Sequence, residues 1–185
     1  MFAGPAMRAF LIVLGLAYPV LVYWGHGSLP PTTFILAALL LIALRYVLAP
    51  AGPLHLSHPT VLIVGGALLA LSLVDQSLAS LAYPSLISFA FASVFGLSLR
   101  YPPSLIERFA RARNPDLPDA AKAYCANVTL LWTVWLIANG VIAAALAFSH
   151  KMELWLLWTS LLNYLVSGGL FGGEWLFRRI RHMPT

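Results

Sequence analysis

Six runs of apolar residues, separated by short breaks rich in Gly and Pro, restrict the fold of this chain more than any other feature. A helix needs about 20 apolar residues to cross roughly 30 Å of hydrocarbon, and the six runs approach that length. The first and third runs are short, so five full spans and one half-span form the alternative. The pattern predicts an all-α integral membrane bundle, one domain over 1–185, with transmembrane helices at 9–24, 32–48, 59–74, 82–99, 123–148 and 154–177.

Composition supports lipid as the solvent for most of the chain. Hydrophobic residues make up 61% and charged residues 9% of it, whereas soluble domains carry about 25% charged residues. A soluble fold of this size would expose more surface than so few charges can cover. The net charge of +5 comes from basic residues between apolar runs, not from a folded basic face. This distribution excludes nucleic acid as a partner and favours anionic lipid headgroups.

Basic residues also predict the orientation, because loops rich in Lys and Arg stay in the cytoplasm. With six spans, ten of the eleven Lys and Arg residues fall on one side, including the 100–122 loop, and only Lys151 falls on the other. Both termini are therefore expected in the cytoplasm. Four basic residues of the long loop are candidates for contact with lipid headgroups or a partner: Arg108, Arg111, Arg113 and Lys122.

The same loop contains a signal for a short helix. Ser104 and Glu107 have the spacing of a capping box, which pairs the first turn's amide protons with side-chain oxygens. The resulting helix is expected to lie in the membrane interface; a solvated basic loop is the simpler alternative. Its apolar face would hold Leu105, Ile106 and Phe109, while Glu107, Arg108 and Arg111 would point away.

Prolines give further expectations about where helices begin. Pro59 and Pro84 are predicted in first helical turns, where a missing amide proton costs little. Pro19 lies inside the first run, and we expect it to kink that helix.

Few polar side chains lie within the spans, and such groups are functional candidates by default. Glu174 precedes Arg178 by four residues, which places both on one helix face. A proton or ion relay and a local ion pair are both consistent with that spacing. Three asparagines are expected to join neighbouring helices by hydrogen bonds: Asn127, Asn139 and Asn163.

Small residues repeat at a spacing of four in the last span, and such a stripe allows another helix to approach closely. The stripe predicts a contact within the bundle or between copies in a homo-oligomer. Its members are Gly168, Gly169, Gly172 and Gly173.

The sequence contains no recognisable catalytic set and indicates no cofactor. His55 and His58 have a spacing that can contact one metal ion, but zinc needs three or four ligands and nothing nearby completes the set. A single cysteine, Cys125, excludes an internal disulfide. Nucleophile-elbow, phosphate-loop and zinc-protease motifs are missing from the sequence. An enzyme is therefore not the expected class.

From the fourth run onward the order of features resembles the intracellular septation protein A (YciB) family. The stretch Ser104–Arg108 is similar to that family's basic motif after a span, and Asn127 before Trp132 is similar to its next span. Family members commonly end in R-H-M-P, which is matched here by Arg181, His182, Met183 and Pro184. Departures are the longer Asn127–Trp132 spacing and the glycine stripe with Glu174.

This resemblance implies a noncatalytic protein of the bacterial inner membrane that supports cell-envelope biogenesis or homeostasis through protein or lipid partners. The chain also resembles uncharacterised membrane proteins encoded beside aryl-polyene or fatty-acid-like biosynthesis genes. That likeness implies the alternative: a small transporter, membrane enzyme or accessory factor for an acyl or lipid-linked substrate, with Glu174 as its polar centre.

Overall fold

A computed structural model describes residues 5–48, 58–112 and 114–180 of the chain. These residues are helical almost throughout and contain no strand; the only β feature among them is an isolated bridge between His26 and Leu29. The helices are α1 (Pro5–Gly25), α2 (Pro31–Leu48), α3 (His58–Val74), α4 (Gln76–Arg100), α5 (Leu105–Arg111), α6 (Asp119–Phe148), α7 (Met152–Leu157) and α8 (Asn163–Ile180). A π-helical turn, Trp158–Leu162, joins α7 to α8 without a break.

Within the part of the chain that the structure describes, four helices are long and apolar enough to cross a membrane: α2, α4, residues 121–148 of α6, and the continuous segment Met152–Ile180. The predicted all-α class is therefore confirmed for the described residues, and their apolar helices fit a membrane protein. Residues 13–25 of α1 and the whole of α3 are apolar but shorter. The count of six spans stays a prediction.

The core forms where α1, α2, α3 and α4 pack together. Val22, Ala38 and Leu68 are completely buried there, and the fully buried Trp155 of α7 closes the cluster from the other side. α4 and α6 make the most extensive contact between any two helices of the described chain. In contrast, α8 has no buried residue and leaves long apolar side chains exposed, as expected of a surface covered by lipid.

Several helices begin earlier than predicted, and in α4 the reason is local capping. α4 begins at Gln76 and not near residue 82, because the Asp75 side chain accepts a hydrogen bond from the Leu78 amide at 2.9 Å. This bond satisfies an amide at the helix start, so the helix includes polar residues ahead of the apolar run. α6 begins at Asp119, four residues before the predicted span.

The expectation that Pro84 lies in a first turn is wrong, because Pro84 lies inside α4. A proline within a helix leaves the carbonyl four residues earlier without its helical donor, and here that carbonyl belongs to Ser80. The Tyr18 hydroxyl of α1 donates to the Ser80 oxygen at 2.8 Å and lies 3.2 Å from the Phe34 oxygen of α2. The proline thus supplies an acceptor that joins three helices in the core.

The loop helix exists, but its predicted orientation is wrong. α5 packs against α4 and α6, so Leu105 and Glu107 are both buried and Glu107 does not point away. The capping box does not form: Ser104 makes no side-chain cap, and the Ser98 hydroxyl accepts from the Leu105 amide at 2.9 Å. Instead, Glu107 pairs with Arg111 at 2.7 Å. α5 thus contacts protein on two sides, and its position in the membrane interface stays a prediction.

Candidate functional site

The strongest candidate site is a groove between the first half of α6 and the second half of α8. Its volume is about 350 Å³. Apolar side chains and two glycines form its walls, and a polar cluster closes one end. The lining residues are Tyr124, Asn127, Val128, Leu131, Gly169, Leu170, Gly173, Glu174 and Phe177.

Glu174 and Arg178 form the polar end of this groove, as their spacing predicted. An Arg178 guanidinium nitrogen, Nη2, lies 2.7 Å from Glu174 Oε2, and the Glu174 side chain is only 9% exposed. The Tyr124 hydroxyl of α6 donates to Glu174 Oε1 at 3.3 Å. Burial of a carboxylate is costly unless it is paired and hydrogen-bonded, and both conditions hold here. The sequence offered no signal for Tyr124, which lies 50 residues from Glu174.

Aromatic and basic residues surround the mouth of the groove. The rings of Tyr124 and Phe177 are parallel, with centroids 6.0 Å apart. On the outer side of α8, the Arg179 guanidinium lies 5.3 Å from the centre of the exposed Trp175 ring. Trp and Arg at a helix end are typical of the level of lipid headgroups.

Of the three asparagines, Asn127 lines the groove with Glu174, whereas Asn139 and Asn163 do not. Asn139 donates to Ser88 Oγ of α4 at 2.8 Å and accepts from Trp158 Nε1 at 2.9 Å, so it joins three helical segments. Asn163 bonds within its own helix, to the carbonyl oxygens of Trp158 and Thr159 in the π-helical turn. The expected role between helices thus fits Asn139 but not Asn163.

The glycine stripe has open space on every side within the described chain. A Cβ atom added at Gly168, Gly169, Gly172 or Gly173 would meet no neighbouring atom within 4 Å. The close helix contact expected inside the bundle is therefore not formed here, and a contact between copies stays a prediction. Gly169 and Gly173 instead widen the groove beside α6.

No protein-family model, curated protein or solved structure matches the chain.

The resemblance to the septation protein A family accordingly stays an expectation, and the functional argument rests on the geometry of the chain. The closing residues that contributed to it, 181–184, lie outside the described structure.

The basic loop residues have partners in the chain. Arg108 donates to the carbonyl oxygens of Pro103 and Tyr101 at 2.8 Å and 3.2 Å. Lys122 lies 2.6 Å from Asp119, and this hydrogen bond and charge lower the pKa of the Asp119 carboxyl. Arg113 lies outside the described residues. Contact of this loop with headgroups or a partner stays a prediction.

In the sequence, Arg45 is one of the basic residues that predict the orientation of the chain. In the structure, its side chain also reaches into the helix bundle. Arg45 lies in the last turn of α2, and its guanidinium packs against Gly15 of α1. The helical donor missing at Pro19 would have bonded the Gly15 carbonyl. A glycine four residues before an internal proline was the available signal for this close approach.

The described residues contain no group of three or more His, Cys, Asp and Glu side chains that could hold a metal ion. Of the predicted histidine pair, His55 lies outside the described part. The ring of His58 packs edge-on against that of Tyr46, with centroids 4.9 Å apart.

Proposed function

We propose that this chain is a noncatalytic protein of the bacterial inner membrane that supports cell-envelope biogenesis or homeostasis by binding lipid, and through it other membrane proteins. Six spans with both termini in the cytoplasm complete the proposal. The observation that carries it is the groove between α6 and α8, whose apolar walls end in a part-buried ion pair.

The proposed occupant of the groove is one acyl chain of an anionic phospholipid. Leu131, Leu170 and Val128 offer apolar contact along the walls. Because an acyl chain in the bilayer is already surrounded by apolar lipid, its binding here is favourable only if it packs closely against these side chains. Arg178 is 31% exposed at the polar end, and Arg179 follows it, so cationic groups are available to the phosphate. Each basic residue near an anionic surface contributes about 1 kcal/mol.

Native mass spectrometry of the protein purified in mild detergent tests this proposal. Gly173→Leu places a side chain in the groove and meets no packed neighbour, so the fold should persist. We expect bound phospholipid on the unmodified protein and about tenfold lower occupancy in Gly173→Leu. Gly172→Leu is the matched control, because Gly172 is equally open but does not line the groove.

The proposal fails if the unmodified protein carries no phospholipid, or if both leucine variants retain it equally.

The envelope role has its own test. In a strain lacking the gene, the unmodified protein and Gly172→Leu should restore envelope integrity, measured by resistance to detergent and bile salts, while Gly173→Leu should not.

A second function follows from the burial of the Glu174 carboxylate in the same groove. A transporter or membrane enzyme for an acyl or lipid-linked substrate would use this carboxylate for proton or ion transfer. Glu174→Gln should then abolish complementation while protein abundance and lipid occupancy stay unchanged. Glu153→Gln, at an exposed carboxylate of α7, is the matched control. Full complementation by Glu174→Gln would exclude this second function.

A further inference from the structure

A second pocket lies at the opposite end of α4 from α5, where three helix connections meet. His26 comes from the α1–α2 turn, Asp75 from the junction of α3 and α4, and His150 from the α6–α7 turn. The pocket has a volume of about 310 Å³, near the lower end of the range of about 300–1,000 Å³ for small-molecule sites. It shares no lining residue with the groove between α6 and α8.

Polar groups surround the mouth of this pocket and apolar groups form its floor. His26, Ser77 and His150 are exposed, whereas Trp155 and Leu81 are buried. A ligand that fits such a lining has one polar end and a hydrocarbon body. The arrangement is typical of small-molecule sites, in which a few polar groups orient a largely apolar contact.

The charges of the lining residues determine which kind of polar group the ligand can carry. Asp75 is the only charged group among the lining residues if the histidines are neutral. One of its oxygens accepts from the Leu78 amide, and a carboxylate has further lone pairs for a second donor. Ser77 Oγ adds an acceptor, and the imidazole nitrogens of the two histidines can add others.

The backbone at the α6–α7 turn adds a separate observation. His150 has φ 54°, in the left-handed region, and is the one non-glycine residue with positive φ in the described chain. His150 directly follows Ser149, the C-cap of α6, and a left-handed residue commonly ends a helix at this position. This conformation places His150 in the lining of the pocket.

From these observations we infer that the pocket binds a primary ammonium group carried on a small apolar body, with Asp75 as its counter-charge. The ammonium donates to the free lone pairs of Asp75 and to Ser77 and imidazole acceptors, and the hydrocarbon part packs on Leu146 and Met152. The same chemistry is present in a free aryl or alkyl amine and in the headgroup of an aminophospholipid.

Isothermal titration of the full chain in detergent micelles with phenethylamine tests the site. Asp75→Asn removes the charge but keeps the cap of α4, since Asn caps helices as well as Asp does. We expect at least tenfold weaker binding in Asp75→Asn and unchanged binding in Glu153→Gln. Circular dichroism that matches the unmodified protein shows that Asp75→Asn is folded.

His150→Gly gives an independent test, because glycine adopts positive φ without strain. It should unfold at a temperature no lower than the unmodified protein and should bind the amine more weakly. The proposal is overturned if phenethylamine does not bind, or if Asp75→Asn and His150→Gly both bind it with unchanged affinity.

Two further titrations identify the source of the ammonium. Binding of phenethylamine, together with no difference between nanodiscs of phosphatidylethanolamine and phosphatidylcholine, assigns a free amine. If phosphatidylethanolamine nanodiscs weaken phenethylamine binding and phosphatidylcholine nanodiscs do not, the headgroup occupies the site. Because neither result involves the α6–α8 groove, this inference and the proposed function stand or fall separately.

Discussion

The contact between α4 and α6 and the outer surface of α8 both contain small residues, but only the first uses them for close packing. In α4, 56% of the residues in its apolar window are buried, against 11% in Met152–Ile180. A Cβ atom at Gly140 of α6 would lie 2.8 Å from the Phe89 ring of α4, whereas one at Gly168 would meet nothing within 4 Å. A glycine motif therefore does not identify a packed interface; a neighbouring helix does.

The difference has a physical basis in lipid. Helices in a bilayer gain little from hiding apolar surface, because lipid tails are equally apolar, so they associate through close packing and hydrogen bonds. The α4–α6 contact has both: Phe89 covers Gly140, and Asn139 bonds Ser88. α8 is tied to α6 by fewer groups, among them the hydrogen bond from Trp135 Nε1 to Ser167 Oγ at 2.9 Å.

The largest expected effect comes from Gly140→Leu. The added carbons must displace the Phe89 ring, and overpacking of this kind costs about 1–3 kcal/mol of unfolding free energy. Gly168→Leu is the matched control without this collision, so Gly140→Leu should be the less stable of the two by about 1–3 kcal/mol. Both variants gain the same helix propensity, so their difference reports packing alone. Unfolding by SDS titration in mixed micelles measures both.

Combining Gly140→Leu with Phe89→Ala sharpens this comparison, because removal of the ring removes the collision. The double variant should be more stable than the sum of the two single changes predicts. Equal destabilisation by Gly140→Leu and Gly168→Leu would contradict the comparison and would indicate that a second copy of the chain covers the glycine stripe of α8.

The contrast also shows what the sequence can predict and what it cannot. Hydropathy located the apolar helices because every span must supply enough apolar length, and the i, i+4 spacing located the Glu174–Arg178 pair. Periodicity could not tell lipid from protein as the neighbour of an apolar face. The burial of Glu107 and the open stripe on α8 were therefore missed.

Interactions between distant segments were equally out of reach. Tyr124 joins Glu174, and Arg45 reaches Gly15, because the fold brings together helices that no local pattern relates. Internal prolines are an exception, because each one leaves the carbonyl four residues earlier without its helical donor. At Ser80 the Tyr18 hydroxyl is the replacement donor. A sequence reading that asks which carbonyl each proline frees would find candidates for such contacts.

A smaller effect is expected from Asn139→Leu, which removes hydrogen bonds between α4, α6 and the π-helical turn but keeps a side chain branched at the same carbon. Trp158 Nε1 and Ser88 Oγ would lose their partner in the membrane interior. Interhelical bonds of this kind contribute about 0.6–2 kcal/mol, so the variant should lose about 1–2 kcal/mol in the same SDS titration. Asn127→Leu, at an exposed groove position, is the control and should have little effect.

The smallest effect is expected from Ser167→Ala, which tests how firmly α8 is held. The change removes the acceptor of the Trp135 indole proton and leaves the helix backbone intact. A single interhelical bond in a membrane contributes about 0.6 kcal/mol on average, so global stability should fall by no more than that. Hydrogen exchange should respond more clearly, with faster exchange in α8 and unchanged exchange in α4. Faster exchange in both helices would show that α8 and the α4–α6 contact unfold as one unit, against the division drawn between them.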